Sequence, residues 1–167
     1  MPSIRLASVT AFLCLAFSVG AQALEAGQPP PACALKTFQG DAPFDLAQFK
    51  GKVVYLDFWA SWCGPCSQSM GFLDELHKQL KPQGFEVVGV NLDETHEDAL
   101  EFLKRYPVNF TQTIDGDGQC PVRFGVQAMP SSYLIDRKGV VRHIQLGYRA
   151  SENAEIRSKV QALLAEQ

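Results

Sequence analysis

Val53-Val54-Tyr55-Leu56-Asp57-Phe58-Trp59-Ala60-Ser61-Trp62-Cys63-Gly64-Pro65-Cys66 carries an almost continuously apolar run into two cysteines separated by two residues. The run, rich in β-branched and aromatic side chains, suits a central strand buried on both faces. Beyond the cysteines, Met70, Leu73, Leu76 or His77, and Leu80 fall at helical spacing, and Lys81-Pro82-Gln83-Gly84 stops the pattern. The pair thus lies between the end of a strand and the start of a helix. Two cysteines so spaced can close a small disulfide ring. The spacing predicts Cys63 at the helix N-terminus, where unpaired N–H groups and the helix dipole stabilise a thiolate and lower its pKa. Cys63 is then the attacking sulfur. Cys66, one turn inside and more buried, resolves the mixed disulfide formed with a substrate. Gly64 lets another chain approach closely, and Pro65 restricts the ring while tolerating an early helix position.

A zinc half-site and a purely structural bridge are the competing readings of the pair. Zinc needs four ligands, and a second Cys pair or a His pair is missing from the sequence. His77, His96 and His143 are scattered singly and read as surface residues. No metal is expected, and no cofactor other than a redox-active Cys63–Cys66 disulfide.

Working outward, Phe85 to Leu92 reads as another buried strand. Thr95 with Asp98 resembles a capping signal for a helix to about Tyr106. Phe110 to Ile114 is a short strand, and a short helix follows around Pro121 to Phe124. Ser132 to Asp136 and Val140 to Leu146 form a hairpin across Arg137-Lys138-Gly139. Ser151 starts a last helix with Ile156, Val160, Leu163 and Leu164 on one stripe. At the front, Ala34 to Phe38 is a strand whose hairpin partner is Phe44-Asp45-Leu46. Alternating β and α units with a final antiparallel hairpin imply an α/β domain with a central mixed sheet flanked by helices.

The chain has 167 residues, enough for one domain, and a formal charge of −3 with mixed signs. Without a basic stripe, nothing points to nucleic acid. Residues 1–23 read as a signal peptide. Arg5 supplies the positive region, Leu6 to Val19 the apolar one, and Ala21-Gln22-Ala23 a cleavage site. The apolar run spans about 14 residues, short of the roughly 20 needed to cross a bilayer. The expected division is a signal peptide over 1–23, a linker over 24–32 and a domain over 33–167. The product is periplasmic or otherwise exported, soluble after cleavage and membrane-anchored if uncleaved. With Cys14 lost alongside the signal, four cysteines remain, which permit three pairings. Beside the Cys63–Cys66 pair, Cys33 and Cys120 are either a structural disulfide, suited to an oxidising compartment, or two free buried thiols.

The stretch from Asp57 to Cys66 resembles the active-site strand and loop of the thioredoxin superfamily. The longer pattern is similar to its TlpA/ResA-like branch of exported thiol–disulfide oxidoreductases. It includes Leu46-Ala47-Gln48-Phe49-Lys50-Gly51-Lys52, Val90-Asn91-Leu92-Asp93-Glu94, and Met129-Pro130 before Tyr133-Leu134-Ile135-Asp136. The resemblance covers about residues 30 to 165 and implies a thioredoxin fold with an N-terminal β-hairpin extension and an α/β insertion. It implies that Pro130 is cis and that Met129 pairs with a substrate strand. It gives Asp57 the task of moving the proton of Cys66, with a pKa raised by burial. Glu94 is a second acid candidate, with Asp93 its neighbour and competitor. Trp62 becomes an exposed apolar contact beside the disulfide, with Phe72 a weaker addition, while Phe58 and Trp59 belong to the core. The Gly64-Pro65 dipeptide favours the reducing end of the family. The implied activity is reduction of disulfides in exported proteins by a monomer that draws electrons from a membrane thiol donor. Cytochrome c maturation is one role within the family, although Ser131 after Pro130 departs from that variant's pattern. A disulfide-containing binding or chaperone-like module is the rival class.

Overall fold

The computed structural model describes residues 24–166; the expected signal segment lies outside the described residues. Six strands form one sheet: β1 (Leu35–Thr37), β2 (Val53–Trp59), β3 (Phe85–Asn91), β4 (Thr111–Asp115), β5 (Ser131–Ile135) and β6 (Val141–Leu146). Four α-helices accompany them: α1 (Cys66–Leu80), α2 (His96–Arg105), α3 (Cys120–Phe124) and α4 (Asn153–Ala165). The strand order is β1-β4-β3-β2-β5-β6. β2 runs parallel to β3 and β3 to β4, while the other pairings are antiparallel. This is the mixed α/β sheet that the resemblance implies.

Every residue of β2 and β3 is buried, as expected of strands covered on both faces. Period-2 alternation divides their side chains between two cores. Tyr55 and Trp59 pack with Met70, Leu73 and Leu76 of α1, Phe102 of α2 and Val160 of α4. Leu56 and Phe58 pack on the other side with Phe124 of α3 and Tyr133 of β5. There the rings of Phe58, Phe124 and Tyr133 meet edge-on at 4.8–5.8 Å between centroids, a favoured aromatic geometry. The α2–β4 unit is the insertion, and it slots β4 between β3 and β1. Thr95 caps α2 by accepting from the Asp98 N–H.

Three features differ from the sequence reading. The return arm of the N-terminal hairpin is a single bridge, Lys36 to Pro43, and Leu46–Phe49 forms a 3-10 turn. β1 makes its ladder with β4 instead, because the inserted strand offers it a longer edge. The expected linker over 24–32 is docked. Gly27 N–H donates to Val141 O at 2.7 Å, and Val141 N–H donates to Gln28 O at 2.9 Å. Finally, His77 is buried, not a surface residue. Its Nε2 lies 3.1 Å from Glu86 Oε2, and Lys52 Nζ lies 2.7 Å from Glu86 Oε1. Burial pushes the Glu86 carboxyl up, but Lys52 and His77 together hold it below the usual range. Polar partners thus let His77 occupy an inward helical position.

Candidate active site

β2 delivers the chain to one end of the sheet, where it turns at once into α1. Cys63 N–H donates to Ala60 O, and Cys66 N–H donates to Cys63 O, both at 3.1 Å. Pro65 stands at the N-cap with φ −67° and ψ −20°, already on the helical path. The helix therefore starts at Cys66. Cys63 lies in the turn just ahead, rather than on the helix with Cys66 a turn inside. The two sulfurs are bonded, with their Cα atoms 5.4 Å apart. Cys66 is fully buried and Cys63 is 5% exposed, so Cys63 is the sulfur nearer solvent. Around them Trp62, 68% exposed, Gly64 and Pro65 form the open rim.

Asp57 occupies the middle of β2 and is fully buried. It shares a strand face with Tyr55 and Trp59, which belong to the same core as Cys63 and Cys66. Burial pushes its carboxyl up to about 7, partly offset by a hydrogen bond from Ser132 Oγ to Oδ1 at 2.6 Å. A carboxyl poised there can exchange protons with a thiol near neutral pH. Ser132 was not singled out by sequence reasoning. No signal in the sequence marks it, because its role comes from the β2–β5 register, in which Ser132 is directly opposite Asp57.

Met129 is half-buried and Pro130 buried at the start of β5, and the bond between them is cis. Pro130 O accepts from Gly147 N–H at 2.7 Å, which ties this corner to the end of β6. Phe72 is half-buried, its ring 6.3 Å from that of Tyr148. Glu94 is exposed. Asp93, its neighbour, reaches into the loop before the cysteines. Its carboxylate accepts from Ser61 N–H and from Ser61 Oγ at 2.7–3.1 Å, and from Asn91 Nδ2 at 2.7 Å. Asp93 thus fixes the residue that precedes Trp62, while Glu94 faces solvent.

Away from this site, Cys33 and Cys120 are bonded, with Cα atoms 5.4 Å apart. Cys120 N–H donates to Asp115 Oδ2, and Arg123 Nη1 donates to Ala32 O, both at 2.9 Å. The bridge joins the segment before β1 to the start of α3. Among the described residues, no three metal-ligating side chains converge. No described helix is long and apolar enough to cross a membrane.

Comparison with known proteins adds an independent line. The Redoxin family model matches residues 25–163. The thiol-disulfide oxidoreductase ResA of Bacillus thuringiensis is 34% identical over 132 residues, covering 79% of this chain and 76% of the relative. A Chlorobium tepidum structure, provisionally assigned as thiol:disulfide interchange protein DsbE, superposes with a TM-score of 0.81 at 40% identity. That match covers 86% of this chain and all of the other. A secreted Mycobacterium tuberculosis disulfide oxidoreductase homologous to E. coli DsbE superposes at 0.63 with 25% identity, covering 77% of this chain and 93% of that one. A family match over most of the chain, and a fold that places two bonded cysteines where β2 meets α1, lead to one assignment: the chain belongs to the Redoxin family of the thioredoxin superfamily, as a ResA/TlpA-like thiol–disulfide oxidoreductase.

Proposed function

We propose that the chain is an exported reductase of protein disulfides. The observation that carries this reading is the asymmetry of the pair: Cys63 retains a small exposed edge among the exposed Trp62, Gly64 and Pro65, while Cys66 is sealed beneath it. In the reduced enzyme the Cys63 thiolate attacks a substrate disulfide, and one substrate sulfur leaves. Asp57 takes the proton of Cys66, whose thiolate then attacks Cys63 Sγ and releases the second substrate sulfur. The enzyme ends with the Cys63–Cys66 disulfide, two electrons having passed to the substrate. The disulfide itself is the electron carrier, so no other cofactor is needed. A membrane thiol donor restores the dithiol, and the protein works as a monomer. Trp62 supplies apolar contact to the substrate, and the Met129 backbone beside β5 supplies a strand edge. Cys33–Cys120 serves as a structural bridge. Export is supported by the signal pattern of residues 1–23 and by the secreted Mycobacterium tuberculosis relative.

The test is catalysed reduction of insulin by a small dithiol. Wild type accelerates it, Cys63→Ser abolishes the acceleration, and Cys66→Ser accumulates mixed disulfides with partner proteins. Wild type that fails to accelerate the reaction sinks the reductase reading. Mixed disulfides formed by Cys63→Ser and not by Cys66→Ser reverse the two roles.

A further inference from the structure

The proposed cycle loads Asp57 with a proton as the disulfide forms, and above about pH 7 the fully buried carboxyl of the oxidised enzyme gives that proton up to solvent. Among the described residues, Ser132 Oγ is the side-chain partner of Oδ1, and Oδ2 has none. Ser132 is itself 4% exposed, and it lines a hollow bounded also by Tyr55, Leu134, His143, Gln145 and Lys159. The hollow measures about 10 Å³, room for about one water. Its outer walls reach solvent, since His143, Gln145 and Lys159 are each only half-buried.

We propose that Ser132 is the positioning residue through which Asp57 returns its proton to solvent, by way of this hollow and His143, on the side of β6 and α4. The inference rests on the reading that Asp57 serves Cys66. The step balances as follows. The neutral Asp57 carboxyl passes its proton to Ser132 Oγ. Ser132 releases its own hydroxyl proton into the hollow, to a water and then to the His143 imidazole. Asp57 is left as a carboxylate and no electrons move. A hydroxyl can accept and donate at once, which an apolar side chain cannot. The titratable and charged groups around this path are Tyr55 on β2, Cys63 and Cys66 at the start of α1, Arg142 and His143 on β6, Tyr148 after it, Glu152 before α4, and Glu155 and Lys159 on α4. Burial, with Asp57 next, holds the Tyr55 phenol well above its usual range, so it stays protonated. Burial, with Lys159 and Arg142 beyond it, holds His143 below its usual range, so it is free to accept.

The experiment follows, in stopped flow across the neutral range, release of a proton to an indicator dye as a substrate disulfide oxidises the reduced enzyme. Ser132→Ala is expected to lower the plateau rate roughly tenfold, a modest share of what general acid–base groups contribute. It also moves the inflection to higher pH, because a hydrogen bond to the charged form of Asp57 is lost. Ser132→Thr keeps the hydroxyl and restores the plateau. His143→Phe lowers the plateau and leaves the inflection in place. A merely structural Ser132 moves the inflection alone, so an unchanged plateau in Ser132→Ala overturns the route, as does a His143→Phe rate equal to wild type. An Asp57→Asn profile identical to wild type removes the underlying reading instead.

Discussion

Asp57 sets a conflict between stability and chemistry within one residue. Its folded carboxyl titrates near 7 against an ordinary value of 3.8, and burial is the main cause. Between those values the folded state holds a proton that the unfolded state has released. Stability therefore falls as pH rises through this window, and the full penalty is present above about 7. The shift corresponds to roughly 4 kcal/mol at most. Asp57→Asn is expected to be more stable than wild type at pH about 8, with the gap closing towards pH about 4. Urea unfolding of the oxidised proteins at the two ends measures it. A gap that is equal at both ends would mean that burial of charge is not the cause. Gly89 and Gln112 belong to the same row across the sheet, for Asp57 pairs with Gly89 and Gly89 with Gln112. Gln112 lies over Gly89 and accepts from Trp59 Nε1 at 2.8 Å, so a side chain at 89 would displace it.

Helix ends explain the role of a residue that sequence patterning treated only as part of a turn. α4 has no basic residue in its last turn. Arg137, from the β5–β6 turn, supplies the charge from outside. Its guanidinium donates to Gly51 O at 2.8 Å, to Leu164 O at 3.2 Å and to Gln83 O at 3.3 Å. Three separate chain segments thus end on one planar fork, which a lysine ammonium cannot reproduce. Arg137→Met is expected to lower the unfolding free energy by about 2 kcal/mol, read from the shift in urea midpoint, with Arg137→Lys recovering less than half. Equal midpoints for wild type and the Lys variant would show that charge alone suffices. β2, β3, α1 and the final hairpin were legible because one physical pattern, period or continuous burial, governs each. The partner of β1 was not, since pairing between distant segments depends on where the inserted strand lands. Nor was Ser132, whose significance exists only through its register with Asp57. His77 looked like surface because its partners, Glu86 and Lys52, come from other elements. Cys66 is the more buried of the two sulfurs, and the helix starts at Cys66 rather than Cys63, with Pro65 at its N-cap.

At the scale of the whole molecule, the Cys33–Cys120 bridge closes a long loop, with a sequence separation of 87 residues. Such a closure restricts the unfolded chain and contributes about 2–4 kcal/mol. Cys33→Ala with Cys120→Ala is expected to lower the melting temperature by roughly 10 °C. Insulin reduction by this variant, measured well below its melting temperature, should stay within about twofold of wild type, because the bridge constrains chain entropy remote from the exchange chemistry. A loss of activity at unchanged melting temperature would instead make this pair part of the redox cycle.

The docked segment before β1 also fixes a polarity. Residues 27 and 28 are held at Val141, which opposes Ile135 at the far end of β5 from Pro130. β2 runs from that same end towards the cysteines, as its pairing of Val54 with Ile135 shows. The docked residues 27 and 28 therefore lie at the pole opposite Trp62 and Cys63. A contact made at that pole leaves the reactive sulfur facing the other way, like the tip of a probe.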